Sequence, residues 1–452
     1  MNIGSEMQEI SSNNKRIAKN TLLLYFRMLV TMAVSLYTSR VVLNILGVED
    51  FGIYNVVGGI VAMFGFINGS MTSATQRYLT FELGQNNRAQ LTKVFSTSLS
   101  IHGIISFLII VLAETVGLWF LWNKMQIPAD RMNAAFWVFQ CSVAASVIMI
   151  MSVPYNAAII AHERMSAFAY ISIIEVSLKL LIVCFLRYFH TDKLILYAVL
   201  IVIVQFLIRL CYSWYCNRHF NETKYRWSWD KGLFKEMTGF ASWNMFGSLA
   251  AITFTQGLNL LLNMFFGPVV NAARGIAVQA QTAIGQFSSN FQTALNPQIT
   301  KSYATGDMEY MHGLIFRSAK FSFFLLLLLS LPVLIETKAI LTLWLKIVPD
   351  HTVVFLRIML CTTWVYAVSN PLITAASATG KIKLYQSVVG GLLLLILPIS
   401  YLCLRFGLPA YSVFIVHLVI EITAQFARLL MLKRMIKLSL REYFSKVVWC
   451  IF

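Results

Sequence analysis

Charge is scarce in this chain. Asp, Glu, Lys and Arg make up 12% of its 452 residues, about half the share that an ordinary soluble domain carries, which excludes a fold whose whole surface faces water. The seven cysteines (Cys141, Cys184, Cys211, Cys216, Cys361, Cys403 and Cys450) lie in or beside apolar segments, with no CxxC pair and no metal-ligand spacing. That leaves them as small core residues and gives no thiol redox pair or zinc site. No Lys/Arg-rich arm is present, so the formal charge of +17 does not point to nucleic acid. The polar start, "MNIGSEMQEISSNNKRIAKN", precedes an apolar segment longer than a signal-peptide core and without a small-residue cleavage site, so the first helix is expected to stay in the mature protein.

What is abundant is apolar sequence. Hydrophobic residues make up 58% of the chain and the mean hydropathy is +0.70. The apolar runs recur about every 35 residues and are long enough for helical spans, not barrel strands. The expected fold class is therefore all-α, a polytopic membrane protein. Twelve helices are predicted near 18–46, 51–83, 91–122, 130–160, 164–188, 193–217, 232–266, 268–300, 308–335, 351–379, 382–405 and 408–436. With the N-terminus inside, the inner loops carry 21 Lys and Arg and the outer loops 7, which places both termini in the cytoplasm.

The halves resemble each other. Gly47 in "LNILGVEDFG" pairs with Gly267 in "LNMFFGPVVN" at an offset of 220; Gly84 pairs with Gly306 at 222, Pro154 with Pro371 at 217, and Arg209 with Arg428 at 219. The expected organisation is an N-terminal half over 1–217, a cytoplasmic linker over 218–231 and a C-terminal half over 232–437. Residues 438–452 then form a cytoplasmic tail or the start of a thirteenth helix. Two parallel six-helix repeats are a transporter architecture, with a central cavity expected between pseudo-symmetric bundles.

Polarity concentrates on four helices. The first carries Arg27, Thr31, Ser35 and Thr38 on one face, and the second Ser70, Ser73, Arg77 and Thr80 within "GSMTSATQRYLTFELG". The seventh offers Ser248, Thr255, Asn259 and Asn263. The eighth has Arg274, Gln281, Ser288 and Gln292 on one face and Gln279, Thr282, Gln286 and Thr293 on another. Single hydroxyls at such places are commonly helix–helix hydrogen bonds worth about 0.6 kcal/mol. An arginine at depth costs roughly 2.5 to 3.5 kcal/mol even on the mildest scale, which favours a wet cavity for Arg27, Arg77 and Arg274. Arg40 is read as structural, closing an outer corner with Glu49 or Asp50, and Glu175 as paired with Lys179 one turn on. Glu421 shares a face of the twelfth helix with His417, Gln425 and Arg428; His417 and Glu421 make either a proton relay or a buried structural network.

A cavity lined by guanidinium, amide and hydroxyl groups suits an anionic, hydroxyl-rich cargo. The candidate substrate contacts are Arg27, Arg77, Arg274, Asn259, Gln279 and Gln286. The stretch from Lys19 to Gly84, above all "SRVVLNILGVEDFGIYNVV", and "NPQITKSYATGD" at the end of the eighth helix resemble bacterial lipid-linked oligosaccharide flippases. These are the polysaccharide-transport branch of the multidrug/oligosaccharidyl-lipid/polysaccharide exporter superfamily. The resemblance implies an inner-membrane flippase that moves undecaprenyl-pyrophosphate-linked units outward for lipopolysaccharide, O-antigen or capsule synthesis by rocking two six-helix halves. Its partners would be the lipid-linked oligosaccharide, membrane lipids and a proton or sodium gradient. Relatives with fourteen helices make a truncated chain one expectation and a dispensable last pair the other. Two other classes compete. A multidrug or cation antiporter of the superfamily calls for a carboxylate in the first or seventh helix. A membrane polymerase or ligase of lipid-linked glycans calls for catalytic groups in a long outer loop, whereas the longest, near 335–350, holds no nucleophile, metal or nucleotide motif.

Overall fold

A computed structural model describes residues 3–451 apart from 63–64, 124, 126, 187, 190, 225–229 and 346–347, with only the backbone described at 3–14, 36, 39, 43, 48, 59–62, 65–67 and 268. Among the described residues helix predominates and there is no strand. The apolar runs leave a lipid-facing backbone no partner but itself, and helices satisfy it within one segment.

The helices are α1 (Ile3–Ala62), α2 (Gly65–Gly84), α3 (Arg88–Leu112), α4 (Leu118–Asn123), α5 (Met132–Ala161), α6 (Met165–Leu186), α7 (Lys193–His219) and α8 (Lys231–Phe266). They continue as α9 (Pro268–Thr305), α10 (Met308–Ile335), α11 (Thr337–Leu345), α12 (Thr352–Ala378), α13 (Lys383–Leu394), α14 (Ile396–Arg405), α15 (Ser412–Met435), α16 (Leu440–Tyr443) and α17 (Trp449–Ile451). Among the described residues, ten helices are long and apolar enough to cross a membrane. The eighth predicted span, which lies within α9, is outside that set, and the second crosses residues 63–64, which lie outside the described residues. α9 is one of the helices on which the sequence concentrates amides and hydroxyls, which accounts for its low hydropathy.

The repeat is written in backbone angles. Gly47 has φ 81° and ψ 170°, and Gly267, 220 residues later, has φ 78° and ψ −174°. Only glycine adopts that region readily, so the same kink stands at the same place in each half. At Gly47 it joins the predicted first and second helices into one kinked run. One predicted pairing needs correction: the residue equivalent to Gly306 (φ 78°) is Asn86 (φ 54°), not Gly84. Both turn the chain in the left-handed region, and the next residue of each caps a helix. Asn87 accepts from the Gln90 amide at 3.2 Å and Asp307 from the Tyr310 amide at 3.0 Å.

The chain divides into two compact units, Met1–Gly239 and Phe240–Phe452, the break falling inside α8. In unit 1, α5 packs against α7, α2 and α1, and α1 against α6, around fully buried Val57, Leu121 and Phe139. Asp50 and Asp192 there share Arg131, whose Nη1 lies 2.7 Å from Asp192. The expected Arg40 corner is thus replaced by Arg131, which the chain brings from the start of α5. Burial alone would raise the Asp192 carboxyl, but the hydrogen bonds from Arg131 and from two α7 backbone amides hold it below its usual range.

In unit 2, α12 packs against α9, α10 and α15, with Phe355 buried against Phe414 at 4.6 Å between ring centres. Two local expectations change here. The connection near 335–350 contains α11, because "TKAILTLWL" repeats apolar residues at helical spacing; Arg357 Nε donates to Thr337 Oγ1 at 3.0 Å. The predicted eleventh helix divides into α13 and α14 at Leu395, where Pro398 cannot donate to the Leu394 carbonyl. Residues 440–451 are helical, with a π-helical turn at Phe444–Val448, and bury Tyr443 and Val447 completely.

Candidate functional site

The polar residues of α9 separate by use. Gln281 Nε2 donates to the Met359 carbonyl at 3.1 Å and to Thr363 Oγ1 at 2.8 Å. Gln292 Nε2 donates to Ser322 Oγ and to the Ala367 carbonyl, both at 2.9 Å. The second contact has a definite origin: Pro371 has no N–H, so the carbonyl four residues back loses its helical donor, and Gln292 replaces it across the helix interface. Both glutamines join α9 to neighbouring helices, and Gln281 also lines the cavity that the next face meets. Gln279, Thr282 and Gln286, on the neighbouring face, are exposed.

That exposed face meets a cavity of about 430 Å³ contained within unit 2. α9 contributes Gln286, Thr282 and Ser289; α12 contributes Thr363, Tyr366 and Asn370; α15 contributes His417, Glu421 and Arg428; and Phe254 of α8 stands 4.9 Å from the His417 ring. Gln286, His417 and Glu421, chosen separately from the sequence, therefore share one wall. Gln279 does not line it. The α12 contribution was missed, although Thr363, Tyr366 and Asn370 fall at spacings of three and four, the signal that singled out α9.

Charge in this cavity is paired. Glu421 and Arg428 are 4% and 3% exposed, and Arg428 Nη1 lies 2.7 Å from Glu421 Oε1 and 3.1 Å from Ser369 Oγ. Ser369 Oγ donates to Gln425 Oε1 at 2.6 Å, and Gln425 Nε2 to the Tyr443 hydroxyl at 3.2 Å. The predicted face of α15 is thus an extended buried network that also ties in the chain after α15. An ion pair this deep needs such satisfied hydrogen bonds to offset its desolvation.

Arg274 is 5% exposed. It donates to Asn259 Oδ1 and, at 2.9 Å, to the Thr255 carbonyl, joining α9 to α8. Two of the predicted substrate contacts are therefore bound to each other. Arg274 and Glu421 both act electrostatically on His417, so the arginine lies close to the cavity wall without lining it.

Arg27 and Arg77 belong to unit 1 and are not brought into this cavity. The Arg27 guanidinium sits 4.5 Å above the Phe168 ring, near Glu175, which holds Lys179 at 2.6 Å and accepts from Gln205 at 3.1 Å. Arg77 stacks on Tyr78 and Phe81 of its own helix at 4.5 and 4.7 Å, while the Tyr78 hydroxyl donates to Glu236 at 3.1 Å. Stacking on aromatic rings desolvates one face of each guanidinium.

A family model described as "Polysaccharide biosynthesis protein" matches residues 17–303. No curated protein matches the chain. Among solved structures, a MATE transporter in the bent conformation aligns with a TM-score of 0.83 at 12% identity, covering 94% of this chain and 96% of its own. The Vibrio cholerae MATE transporter VcmN in the bent form gives 0.77 at 16% identity, covering 97% and 99%. A MOP-superfamily transporter from Pyrococcus furiosus, described as having a binding pocket of reverse polarity, gives 0.79 at 13% identity, covering 94% and 96%. At these identities the likeness establishes the MATE fold.

Proposed function

We propose that this chain, which belongs to the polysaccharide biosynthesis protein family, is a flippase for polyprenyl-pyrophosphate-linked oligosaccharides rather than an enzyme acting on them. It works by alternating access in a bacterial inner membrane, with both termini in the cytoplasm, supplying units for lipopolysaccharide, O-antigen or capsule. The observation that carries the reading is the unit 2 cavity. Its free polar surface consists of amides and hydroxyls, Gln286, Thr282, Ser289 and Asn370, groups that exchange hydrogen bonds with sugar hydroxyls without demanding a charge. The arginines predicted for the pyrophosphate are Arg27, Arg77 and Arg274. The first two present stacked guanidinium groups, and the third braces the wall. A proton or sodium gradient supplies the energy, with His417 and Glu421 as the titratable pair facing the cavity.

The fold's likeness to multidrug MATE transporters favours a second reading, a drug or cation antiporter. Against it, the carboxylate in the cavity, Glu421, is already paired with Arg428 at 2.7 Å, leaving little attraction for a cationic drug.

The test is complementation of a flippase-deficient strain alongside drug sensitivity of an exporter-deficient one. The wild-type chain should restore surface glycan and confer no resistance. Gln286→Leu and Arg77→Ala should each lower glycan export about tenfold, equivalent to one strong charged or bidentate contact, at unchanged membrane abundance. Full export by both variants would remove these residues from the substrate path, and drug resistance without glycan export would favour the antiporter.

A further inference from the structure

A second cavity, about 620 Å³, is contained within unit 1 and takes no part in the reading above. Four pieces of chain form its wall: residues 16–23 of α1, the α2–α3 turn, the α5–α6 turn and the short 3-10 turn after α7. Two ion pairs brace it. Arg16 Nε lies 2.9 Å from Glu163, while Asn20 Nδ2 donates to the Glu163 carbonyl at 3.2 Å. His162 Nε2 lies 2.5 Å from Glu222 Oε1, and its ring is stacked on Phe220 with centres 4.0 Å apart.

With those two acids engaged, the cavity keeps an excess of positive charge. Lys19, Arg88 and Arg164 line it, are exposed, and have no acid within ion-pair distance among the described residues. The remaining acid, Glu82, lies within electrostatic reach of Arg77. Two long helices, α3 and α6, also begin at this wall, so the positive ends of two helix dipoles reinforce the three side chains.

The backbone sets the wall apart from its counterpart in the other half. Of the four non-glycine residues with positive φ among the described residues, two, Asn86 (φ 54°) and Glu163 (φ 58°), belong to it. At the repeat offsets their equivalents in unit 2 are glycines, Gly306 and Gly380, and the equivalent of Arg88 is Met308. Holding a non-glycine residue there costs about 1–3 kcal/mol. Unit 1 thus bears a strain that unit 2 avoids, and in return places Glu163 where it positions Arg16 and Asn20.

We propose that this cavity binds a phosphate-bearing anion, with Lys19, Arg88 and Arg164 as its cationic contacts. Three separate cations around a concave wall fit the oxygens of a phosphate or pyrophosphate, and Arg88 and Arg164 supply the forked donors suited to them. The phosphate can come from the headgroup of an anionic lipid or from a soluble compound, and the two sources are separable by experiment.

Full-length protein in detergent is titrated with inorganic pyrophosphate by calorimetry. In parallel it is examined by native mass spectrometry after exposure to phosphatidylglycerol or phosphatidylcholine. The expected result is saturable binding of pyrophosphate or selective retention of phosphatidylglycerol, weakened about tenfold or more when Lys19→Ala, Arg88→Ala and Arg164→Ala are combined. Melting without ligand should be unchanged, since all three side chains are exposed; Arg164→Gln alone, with a smaller loss, serves if the triple variant is unstable. Pyrophosphate binding alone identifies a soluble ligand, and lipid retention alone a headgroup. Binding of neither ligand to the wild type, or equal binding by wild type and variants, overturns the proposal. Both readouts measure binding only, so they stand apart from any outcome of the glycan-export assay.

Discussion

A single buried cation shows how the same residue type serves opposite ends in this chain. Arg428 lies on the cavity wall in unit 2, yet its guanidinium is committed to Glu421 and Ser369, and removing it leaves Glu421 buried without a counter-charge. Arg428→Ala should therefore destabilise the protein by about 3–5 kcal/mol, read as a fall in melting temperature in detergent. Combining Arg428→Met with Glu421→Gln should cost less than Arg428→Ala alone, because no uncompensated charge remains. If the double change costs more, the pair itself, and not the orphaned acid, dominates. The sequence showed that His417, Glu421, Gln425 and Arg428 share a face. It gave no sign of Ser369 and Tyr443, which complete the network from distant parts of the chain, because a helical period reports neighbours on one helix and not those across an interface.

At the scale of elements, proline and glycine were the most readable residues. The Gly47/Gly267 kink and the Pro154/Pro371 pair were found from a constant offset, and each occupies the place that its backbone chemistry requires. The consequence of Pro371 was not readable, since it depends on which side chain reaches the carbonyl that proline leaves without a donor. That side chain is Gln292. Gln292→Leu should cost about 1–3 kcal/mol, the usual penalty for an unsatisfied buried polar group. It should cost far less in a Pro371→Ala background, where the helix supplies its own donor. A thermal-denaturation double-mutant cycle measures the coupling, and strictly additive losses would show that Gln292 does not compensate for the proline. The elements that went unread, α11 and the division of α13 from α14, are short; their boundaries rest on packing and on one proline within a greasy run.

For the whole molecule, the distribution of Lys and Arg assigns the turn at Asn86 to the cytoplasm and the segment before α12 to the outside. Both Asn86 and Asp350 are exposed. A membrane-impermeant maleimide should label Asp350→Cys in intact spheroplasts and Asn86→Cys only after permeabilisation, with native cysteines replaced. The reverse pattern would invert the orientation, and with it the side from which the unit 1 cavity is reached. Composition and periodicity by themselves determined that this is a polytopic helical membrane protein with an internal repeat, because burial in lipid constrains every residue of a span in the same way. Only the tertiary structure decided how the polar residues are used: Gln292 clamps helices while Gln286 faces a cavity, and Arg274 binds Asn259 while Lys19, Arg88 and Arg164 surround a cavity of their own. A polar side chain at depth must find a partner, but the choice between a neighbouring helix and open space is made by packing that no single segment encodes.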